Sequence, residues 1–404
     1  MKYRNSKMQV IYNFQEALLQ SVDNNFRRFL HDEINWDQRM IAIKGPRGAG
    51  KTTLLLQHLK YDLGDRLSKA LYVTADHTWF YGNSLLDTAT EWYQQGGEIL
   101  LIDEVHKYPN WSRELKNIYD GIPRLKVVFS SSSALDIYRG QADLSRRVIT
   151  YSLPGLSFRE YLSFAGMGDF SSVSLDDIRK RHLEISREIV SAIRPLPAFQ
   201  TYLKEGYLPI FSEGRNEYLP KLEQIINAVV DTDLAYIASY NAGTAVKVKR
   251  LLGVIAESAP FKPNISALSA KLDIPRDRVL EYIYQLRDAS LLNVLSVEGK
   301  GVSRLQKPGR IFLENTNLSY AIRPSPDKGN LRETFVLGQL LNAGLNVHDP
   351  VKGDFLVDDV TIEVGGRNKS TKQVRDASTY LIAADDIEIG FGNKIPLWLL
   401  GFLY

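Results

Sequence analysis

The sequence of 404 residues contains no cysteine. This absence excludes disulfide bonds, thiolate nucleophiles and zinc sites built on cysteine. A chain without disulfides fits a reducing compartment, so the composition favours a cytoplasmic protein.

The chain also has little excess charge and no long hydrophobic run. Its 50 Lys and Arg residues nearly balance 47 Asp and Glu residues, and the formal charge of +3 is too small to indicate a general nucleic-acid-binding surface. The longest apolar stretches, such as 99–102 and 398–404, are far shorter than the roughly 20 residues of a membrane span. Charged and amide residues interrupt 1–20, so no signal-peptide core is expected there. We therefore expect a cytoplasmic protein with no membrane partner.

Histidines are few and separated in sequence: His31, His58, His77, His106, His182 and His348. None of them shows the spacing of a metal-ligand motif. The sequence therefore predicts no histidine metal site.

Hydrophobic residues make up 44% of the chain, enough for a sizeable core divided among several domains. Short apolar runs at 40–43, 70–74, 99–102 and 126–129 alternate with helical patterns such as 52–59 and 111–119. This alternation predicts an α/β fold with a parallel sheet covered by helices on both faces.

The pattern changes after residue 155. Residues 156–241 read as a helical lid or linker, and 242–323 have the helix spacing and hairpin of a winged helix. Residues 324–404 form a small α/β unit, for which we expect a helix over 331–341, strands over 354–357 and 360–364, a helix over 373–382 and a terminal strand over 397–400. The remaining part, 1–155, is then the parallel-sheet domain.

The loop after the first strand matches the pattern G-x-x-x-x-G-K-[ST]. Its glycines allow backbone N–H groups to surround phosphates at the positive end of a helix, Lys51 would reach the β- and γ-phosphates, and the Thr52 hydroxyl would coordinate Mg²⁺. The predicted nucleotide-binding residues are Gly45, Pro46, Arg47, Gly48, Ala49, Gly50, Lys51, Thr52 and Thr53. An incidental glycine turn is the alternative.

A second motif follows the third apolar run, where Ile99 to Ile102 lead into Asp103 and Glu104. In a Walker B segment, Asp103 would bind Mg²⁺, usually through water, and Glu104 would act as general base. Alone, this pattern also marks an ordinary strand end. Because Asp103 and Glu104 follow the phosphate-binding pattern of 45–52, which is known as a P-loop, the Walker B interpretation is favoured.

Four segments together resemble one family: 45–52, 101–111, the serines Ser130 to Ser133, and 153–162. The chain resembles the bacterial and archaeal P-loop ATPases that combine an AAA-type domain, a winged helix and a C-terminal domain of unknown function. The resemblance continues through 206–209, 363–366 and 396–398. It implies a P-loop NTPase fold, ATP and Mg²⁺ as cofactors, and slow ATP hydrolysis.

The resemblance also implies two further catalytic positions. Ser130, or a neighbour up to Ser133, would contact the γ-phosphate or the attacking water as a polar sensor. Arg146 and Arg147 would stabilise the transferring phosphate within one chain or across a subunit boundary. A serine-rich turn and a solvated arginine pair are the respective alternatives.

DNA is a weaker partner prediction. The second long helix of a winged helix can enter a major groove, but Arg276, Arg278 and Arg287 are matched there by acidic residues. Lys300, Arg304, Lys307 and Arg310 in the wing add basic character. Packing between domains is the alternative role.

The C-terminal part carries Glu333, Asp354 and Glu363 in the order of the acidic residues of the restriction-endonuclease-like fold. Active members have a lysine two residues after the second strand acid, and this chain has Gly365 there, with Arg367 and Lys369 nearby. The sequence therefore predicts a fold relic or a binding module that does not cleave DNA.

The leading hypothesis is an ATP-dependent molecular switch coupled to the winged-helix and C-terminal domains. The rivals are a nucleic-acid-binding protein with structural ATP and an ATP-regulated nuclease. A protein partner or a homo-oligomer is compatible with each of these.

Overall fold

The structure is a computed structural model of the 404-residue chain. It describes residues 6–131, 144, 146–238, 241–295, 308–374 and 377–404. The chain divides into two compact units, Met1–Gly155 and Leu156–Tyr404.

A five-stranded sheet is the centre of the first unit, and every neighbouring pair of its strands is parallel. The strands are β1 (Met40–Lys44), β2 (Ala70–Thr74), β3 (Ile99–Asp103), β4 (Lys126–Ser131) and β5 (Ile149–Ser152). Their order across the sheet is β2-β3-β4-β1-β5, so β4 lies between β1 and β3. The predicted parallel sheet is confirmed.

Helices cover both faces of this sheet. The helices are α1 (Gln9–Ser21), α2 (Leu30–Glu33), α3 (Lys51–Gln57), α4 (Leu85–Gln94) and α5 (Trp111–Gly121). Successive side chains of a strand point to opposite faces, so Met40 and Ala42 enter one buried cluster and Ile41 and Ile43 the other. Because both faces are covered, β1 to β4 are buried along nearly their whole length without alternation, whereas the edge strand β5 is partly exposed.

The second unit begins with helices. They are α6 (Phe158–Phe164), α7 (Leu175–Ala192), α8 (Pro195–Glu205), α9 (Tyr218–Ala228), α10 (Ala235–Ala238), α11 (Ala242–Ser258), α12 (Ile265–Leu272) and α13 (Arg276–Asp288). Strands β6 (Leu292–Leu295) and β7 (Arg310–Leu313) form an antiparallel pair after them. Three helices and a strand pair therefore follow residue 241, and the winged helix stays a prediction.

The end of the chain contains two more helices and a second five-stranded sheet. The helices are α14 (Thr316–Ile322) and α15 (Lys328–Asn342), and the strands are β8 (Val347–His348), β9 (Phe355–Val357), β10 (Val360–Gly365), β11 (Tyr380–Ala384) and β12 (Lys394–Pro396). Their order is β12-β11-β10-β9-β8. Strands β10, β11 and β12 are parallel, and the β8–β9 and β9–β10 pairs are antiparallel.

Two predicted elements of this C-terminal part are wrong. The predicted helix over 373–382 overlaps β11, which is buried between two strands and therefore lacks the alternation that marks a half-exposed strand. The predicted terminal strand over 397–400 is a short 3₁₀ helix, Leu397–Phe402, whose residues are all buried. A buried apolar run has no periodicity that separates a helix from a strand.

The finer domain boundaries at 241 and 323 stay predictions. Across the part of the chain that the structure describes, every helix is too short or too polar to span a lipid bilayer.

Candidate nucleotide-binding site

Backbone geometry explains the glycines of the loop between β1 and α3. Gly48 and Gly50 have φ angles of 80° and 94°, in the left-handed region that favours glycine. A Cβ atom on Gly45 would collide with the carbonyl oxygen of Leu153. Larger residues at these three positions would strain or displace the loop.

Lys51 is the first residue of α3 and curls back over the loop. Its Nζ donates hydrogen bonds of 2.8 Å to the carbonyl oxygens of Gly45 and Pro46, and the residue is only 5% exposed. The ammonium group therefore lies within the loop whose backbone would surround phosphate.

Arg28 supports the same loop from an upstream segment. Its guanidinium group donates to the carbonyl oxygen of Ala49 and, at 2.8 and 2.9 Å, to those of Pro154 and Gly155. Arg28 is buried, and it ties the P-loop to the last residues of the first unit. Sequence reasoning missed this residue because it lies outside the motif.

Asp103 lies at the carboxyl end of β3 and is 2% exposed. Its Oδ2 accepts hydrogen bonds from the Thr52 hydroxyl at 2.5 Å and from the Tyr72 hydroxyl at 2.8 Å. Its Oδ1 accepts one from the Ser130 hydroxyl. The structure thus brings together Thr52, Asp103 and Ser130, which the sequence places in three separate segments.

Thr52 and Asp103 have the chemistry that Mg²⁺ requires. Both offer hard oxygen ligands, and their oxygen atoms are already in contact. The residues present therefore fit the predicted metal.

Tyr72 on β2 was not predicted as a site residue. Burial, followed by the charge of Asp103, raises the pKa of the Tyr72 phenol far above its usual range. Tyr72 consequently stays protonated and donates to the carboxylate. No motif in the sequence indicates this contact.

Glu104 has an unusual backbone conformation, with a φ of 51°. Its N–H group donates to the Ser130 hydroxyl at 3.0 Å and to Asp103 Oδ1 at 3.1 Å. A non-glycine residue in this region costs about 1–3 kcal/mol, which these two hydrogen bonds help to offset. The structure therefore fixes Glu104 directly beside Asp103.

Burial raises the pKa of the Glu104 carboxyl group, and the Lys51 charge opposes this effect. A carboxylate with a raised pKa is a stronger proton acceptor. The electrostatic environment therefore suits a general base.

His106 connects Glu104 to the neighbouring strand. The residue is 2% exposed, its Nε2 lies 3.6 Å from Glu104 Oε2, and its Nδ1 lies 3.2 Å from the Ser131 hydroxyl. The sequence analysis gave His106 no role at the site. Its position beside the predicted base gives it a positioning role.

The two arginines predicted as a finger lie elsewhere. Arg146 and Arg147 directly precede β5, whereas Asp103 ends β3, so in a parallel sheet they lie at opposite edges. Arg147 pairs with Asp120 at 2.9 Å near the end of α5. Their predicted contact with phosphate, within one chain or across a subunit boundary, stays a prediction. Ser132 and Ser133 lie outside the described residues.

The basic residues predicted for DNA contact are largely compensated. On α13, Arg278 pairs with Glu281 at 2.6 Å and Arg287 with Asp288 at 2.7 Å. Arg310 pairs with Glu333 and Asp349. Lys300, Arg304 and Lys307 fall outside the described residues.

A lysine does lie beside the C-terminal carboxylates, which corrects one premise of the sequence analysis. Lys369 Nζ is 2.6 Å from Glu363 Oε1, and the Lys369 side chain fills the space that a side chain at Gly365 would occupy. The motif expects a lysine at position 365, two residues after Glu363. The backbone turn after β10 brings Lys369, six residues after Glu363, to that place instead. Spacing along the sequence does not show this.

Two of the acidic residues also contact other groups. Asp354 Oδ2 accepts from the Val364 N–H group at 2.7 Å, and Glu333 pairs with Arg310 at 3.2 Å. Burial and the charge of Asp354 raise the pKa of Glu333 to about 7.

Two histidines that the sequence separates lie close together in the first unit, and the prediction of no histidine metal site stays a prediction. His31 and His58 are 27 positions apart in the sequence but converge on the carboxylate of Asp62. Folding, not local spacing, creates this cluster.

Comparison with known proteins finds a family model that matches most of the first unit and the first residues of the second. Residues 37–162 match the family model described as AAA domain, a segment that includes the P-loop, Asp103 and Glu104. With the strand order and the loop geometry above, this settles the fold class. The first unit has a P-loop NTPase fold.

No curated protein matches the chain in sequence. Among solved structures, the Walker-type ATPase PABY2304 of Pyrococcus abyssi is 12% identical, with a TM-score of 0.43, over 74% of this chain and 96% of that one. PCH-2 of C. elegans is 23% identical, with a TM-score of 0.24, over 41% of this chain and 46% of that one. The Hsp104–ADP complex of S. cerevisiae is 16% identical, with a TM-score of 0.30, over 68% of this chain and 40% of that one.

Proposed function

We propose that the first unit binds MgATP and hydrolyses it slowly. The observation that carries the proposal is the convergence of Thr52, Asp103 and Ser130 beside a loop whose glycines leave the backbone free to surround phosphate. The match of residues 37–162 to an AAA domain supports the same function.

In this proposal, Lys51 exchanges its two carbonyl partners for the β- and γ-phosphates. The backbone N–H groups of 46–52 surround the phosphates at the amino end of α3, where the helix dipole favours negative charge. Thr52 and Asp103 would hold Mg²⁺, which neutralises charge on the phosphates.

Glu104 takes the proton of the attacking water. Its raised pKa and its contact with His106 favour this role. Ser130 binds both Asp103 and the Glu104 backbone, so a change at the sensor serine would move the metal ligand and the base together.

We further propose that nucleotide state is passed on through Arg28. One side chain contacts both the P-loop at Ala49 and the carbonyl oxygens of Pro154 and Gly155, where the first unit ends. A shift of the loop on nucleotide binding would therefore move Arg28 and, through its hydrogen bonds, the segment that leads to Leu156. This is a direct route for a molecular switch.

ATP turnover measured alone and with added DNA, RNA or a cell extract tests this function. Turnover that rises severalfold with one addition identifies the class of partner. Turnover that no addition changes, with ATP bound tightly, would contradict the switch and favour structural ATP.

A second candidate function is metal-dependent cleavage of DNA. Lys369 beside Glu363 favours it, because a cation next to a metal-bound water stabilises the developing hydroxide. It ranks second because the carboxylates of Glu333, Asp354 and Glu363 do not converge as a set of metal ligands in the described part of the chain.

A matched pair of variants separates the two outcomes. Cleavage of plasmid DNA with Mn²⁺ that is lost in Lys369→Ala and kept in Arg367→Ala would establish the nuclease. Absence of cleavage by the wild-type chain, with or without ATP, would reject it and support the inactive domain predicted from Gly365.

A further inference from the structure

A cluster of two histidines and one aspartate lies in the first unit, outside the nucleotide site. His31 belongs to α2, His58 follows directly after α3, and Asp62 lies one helical turn beyond His58. Nε2 of His31 is 2.6 Å and Nδ1 of His58 is 3.2 Å from Oδ2 of Asp62. Among the described residues, this is the one group of three histidine, aspartate or glutamate side chains whose ligand atoms all lie within 4.8 Å.

We propose that His31, His58 and Asp62 bind a divalent transition-metal ion of the zinc type. Two imidazole nitrogens and one carboxylate oxygen suit zinc or cobalt, whereas Mg²⁺ prefers oxygen ligands. Three protein ligands leave a fourth position for water.

The distances from the two histidines to Asp62 Oδ2, 2.6 and 3.2 Å, are close to the ligand spacing around zinc. Ligands about 2.0–2.1 Å from a tetrahedral zinc lie roughly 3.3 Å from one another. In the structure both imidazoles already meet a single carboxylate oxygen through N–H groups. A metal ion would replace those protons, so binding would release protons into solution.

Neighbouring side chains hold the two rings in place. The Trp36 ring stacks on the His58 ring at 3.7 Å with an angle of 6°, and Trp36 Nε1 donates to the His31 carbonyl oxygen at 3.0 Å. Nδ1 of His31 lies 3.1 Å from Asp32 Oδ1, which turns Nε2 toward Asp62. Such a carboxylate behind a histidine is the usual support of a metal-bound imidazole.

Without a metal ion, the guanidinium group of Arg27 supplies the positive charge beside Asp62. Its guanidinium group is 2.9 Å from Asp62 Oδ1 and 3.2 Å from His31 Nε2. The Arg27 side chain is 28% exposed, so it can move into solvent when a metal ion takes its place. Arg27 therefore competes with the metal. Variants of the ligands should weaken metal binding, and a variant of Arg27 should strengthen it.

The test uses the full chain without a histidine tag, stripped of metal and supplied with excess Mg²⁺ to fill oxygen sites such as Asp103. Co²⁺ is titrated in, and binding is followed by visible absorption and by metal content after gel filtration. We expect one Co²⁺ per chain, displaced by Zn²⁺. His58→Asn and Asp62→Asn should weaken binding by about tenfold or more, while His348→Asn, a histidine of β8, should not change it.

Arg27→Gln provides the decisive variant because it leaves all three ligands intact. It should bind Co²⁺ more tightly than the wild-type chain does. Equal binding by wild type, His58→Asn and Asp62→Asn would overturn the proposal, as would failure of folded Arg27→Gln to bind Co²⁺. Circular dichroism spectra of the variants confirm that they are folded.

Discussion

At the scale of single residues, Lys51 has the most direct role in the proposed nucleotide site. Its ammonium group is the cation held inside the loop, by the carbonyl oxygens of Gly45 and Pro46. We expect Lys51→Ala to weaken MgATP binding by about a hundredfold, since a charge-assisted contact with phosphate is lost. Calorimetric titration of ATP measures this, with Lys69→Ala as a surface control. Unchanged affinity would contradict the assignment of the loop.

Tyr72 gives a prediction about stability. Tyr72→Phe removes a donor from a buried carboxylate and should lower the free energy of unfolding by about 1–3 kcal/mol. Urea denaturation followed by tryptophan fluorescence measures the change. Tyr93→Phe, on the partly exposed face of α4, is the matched control and should leave stability nearly unchanged. Equal stability of both variants would show that the contact with Asp103 contributes nothing.

The raised pKa of Glu104 predicts how ATP turnover falls at low pH. The base works only as a carboxylate, and burial raises the pKa of Glu104. Turnover should therefore fall as pH decreases through a value above the usual range of glutamate. His106→Asn removes the ring beside Glu104 Oε2 and should shift the pH at which turnover falls. Its effect on KM should be smaller than its effect on kcat. An acid limb at the ordinary glutamate value in both proteins would contradict the role.

The residues of the site differ in how far the sequence predicts them. Lys51, Thr52, Asp103 and Glu104 belong to contiguous motifs, in which local spacing sets the chemistry. Tyr72, Arg28 and His106 enter the site through strand pairing and loop packing, which no local pattern encodes. The cluster of His31, His58 and Asp62 arises for the same reason.

At the scale of elements, the order β2-β3-β4-β1-β5 positions the site. It places β4 between the P-loop strand and the Walker B strand, so Ser130 reaches Asp103 across the β3–β4 pair. Apolar runs in the sequence predict the strands but not their order. The segment 373–382, predicted as a helix, overlaps β11 and shows the limit of such predictions. A fully buried strand and a buried helix are both apolar throughout, so their sequences look alike.

Arg28 links three segments and gives a prediction at this scale. Arg28→Ala leaves three carbonyl oxygens without their buried donor, and we expect a loss of about 1–3 kcal/mol in the free energy of unfolding. ATP affinity should also fall, because the loop loses its support at Ala49. Thermal unfolding with and without MgATP measures both effects.

Arg66→Ala, at an exposed position in the same unit, is the control for Arg28→Ala. A variant at Arg28 that unfolds and binds ATP like wild type would contradict the linking role of this side chain.

At the scale of the whole molecule, the second five-stranded sheet shows how spacing in three dimensions differs from spacing in sequence. Gly365 leaves room for the methylene groups of Lys369, so a lysine lies beside Glu363 although the sequence motif is broken. A glycine at a position expected to be lysine therefore does not by itself exclude a cation there.

The central claim is that the first unit hydrolyses MgATP with Glu104 as base, and phosphate release from wild type and Glu104→Gln tests it most directly. The amide keeps the shape of the side chain and lacks its basicity. We expect slow, Mg²⁺-dependent release by wild type, and a loss of about a hundredfold or more in the variant with ATP still bound. Equal release by both proteins, or none by a wild-type chain saturated with MgATP, would contradict the account.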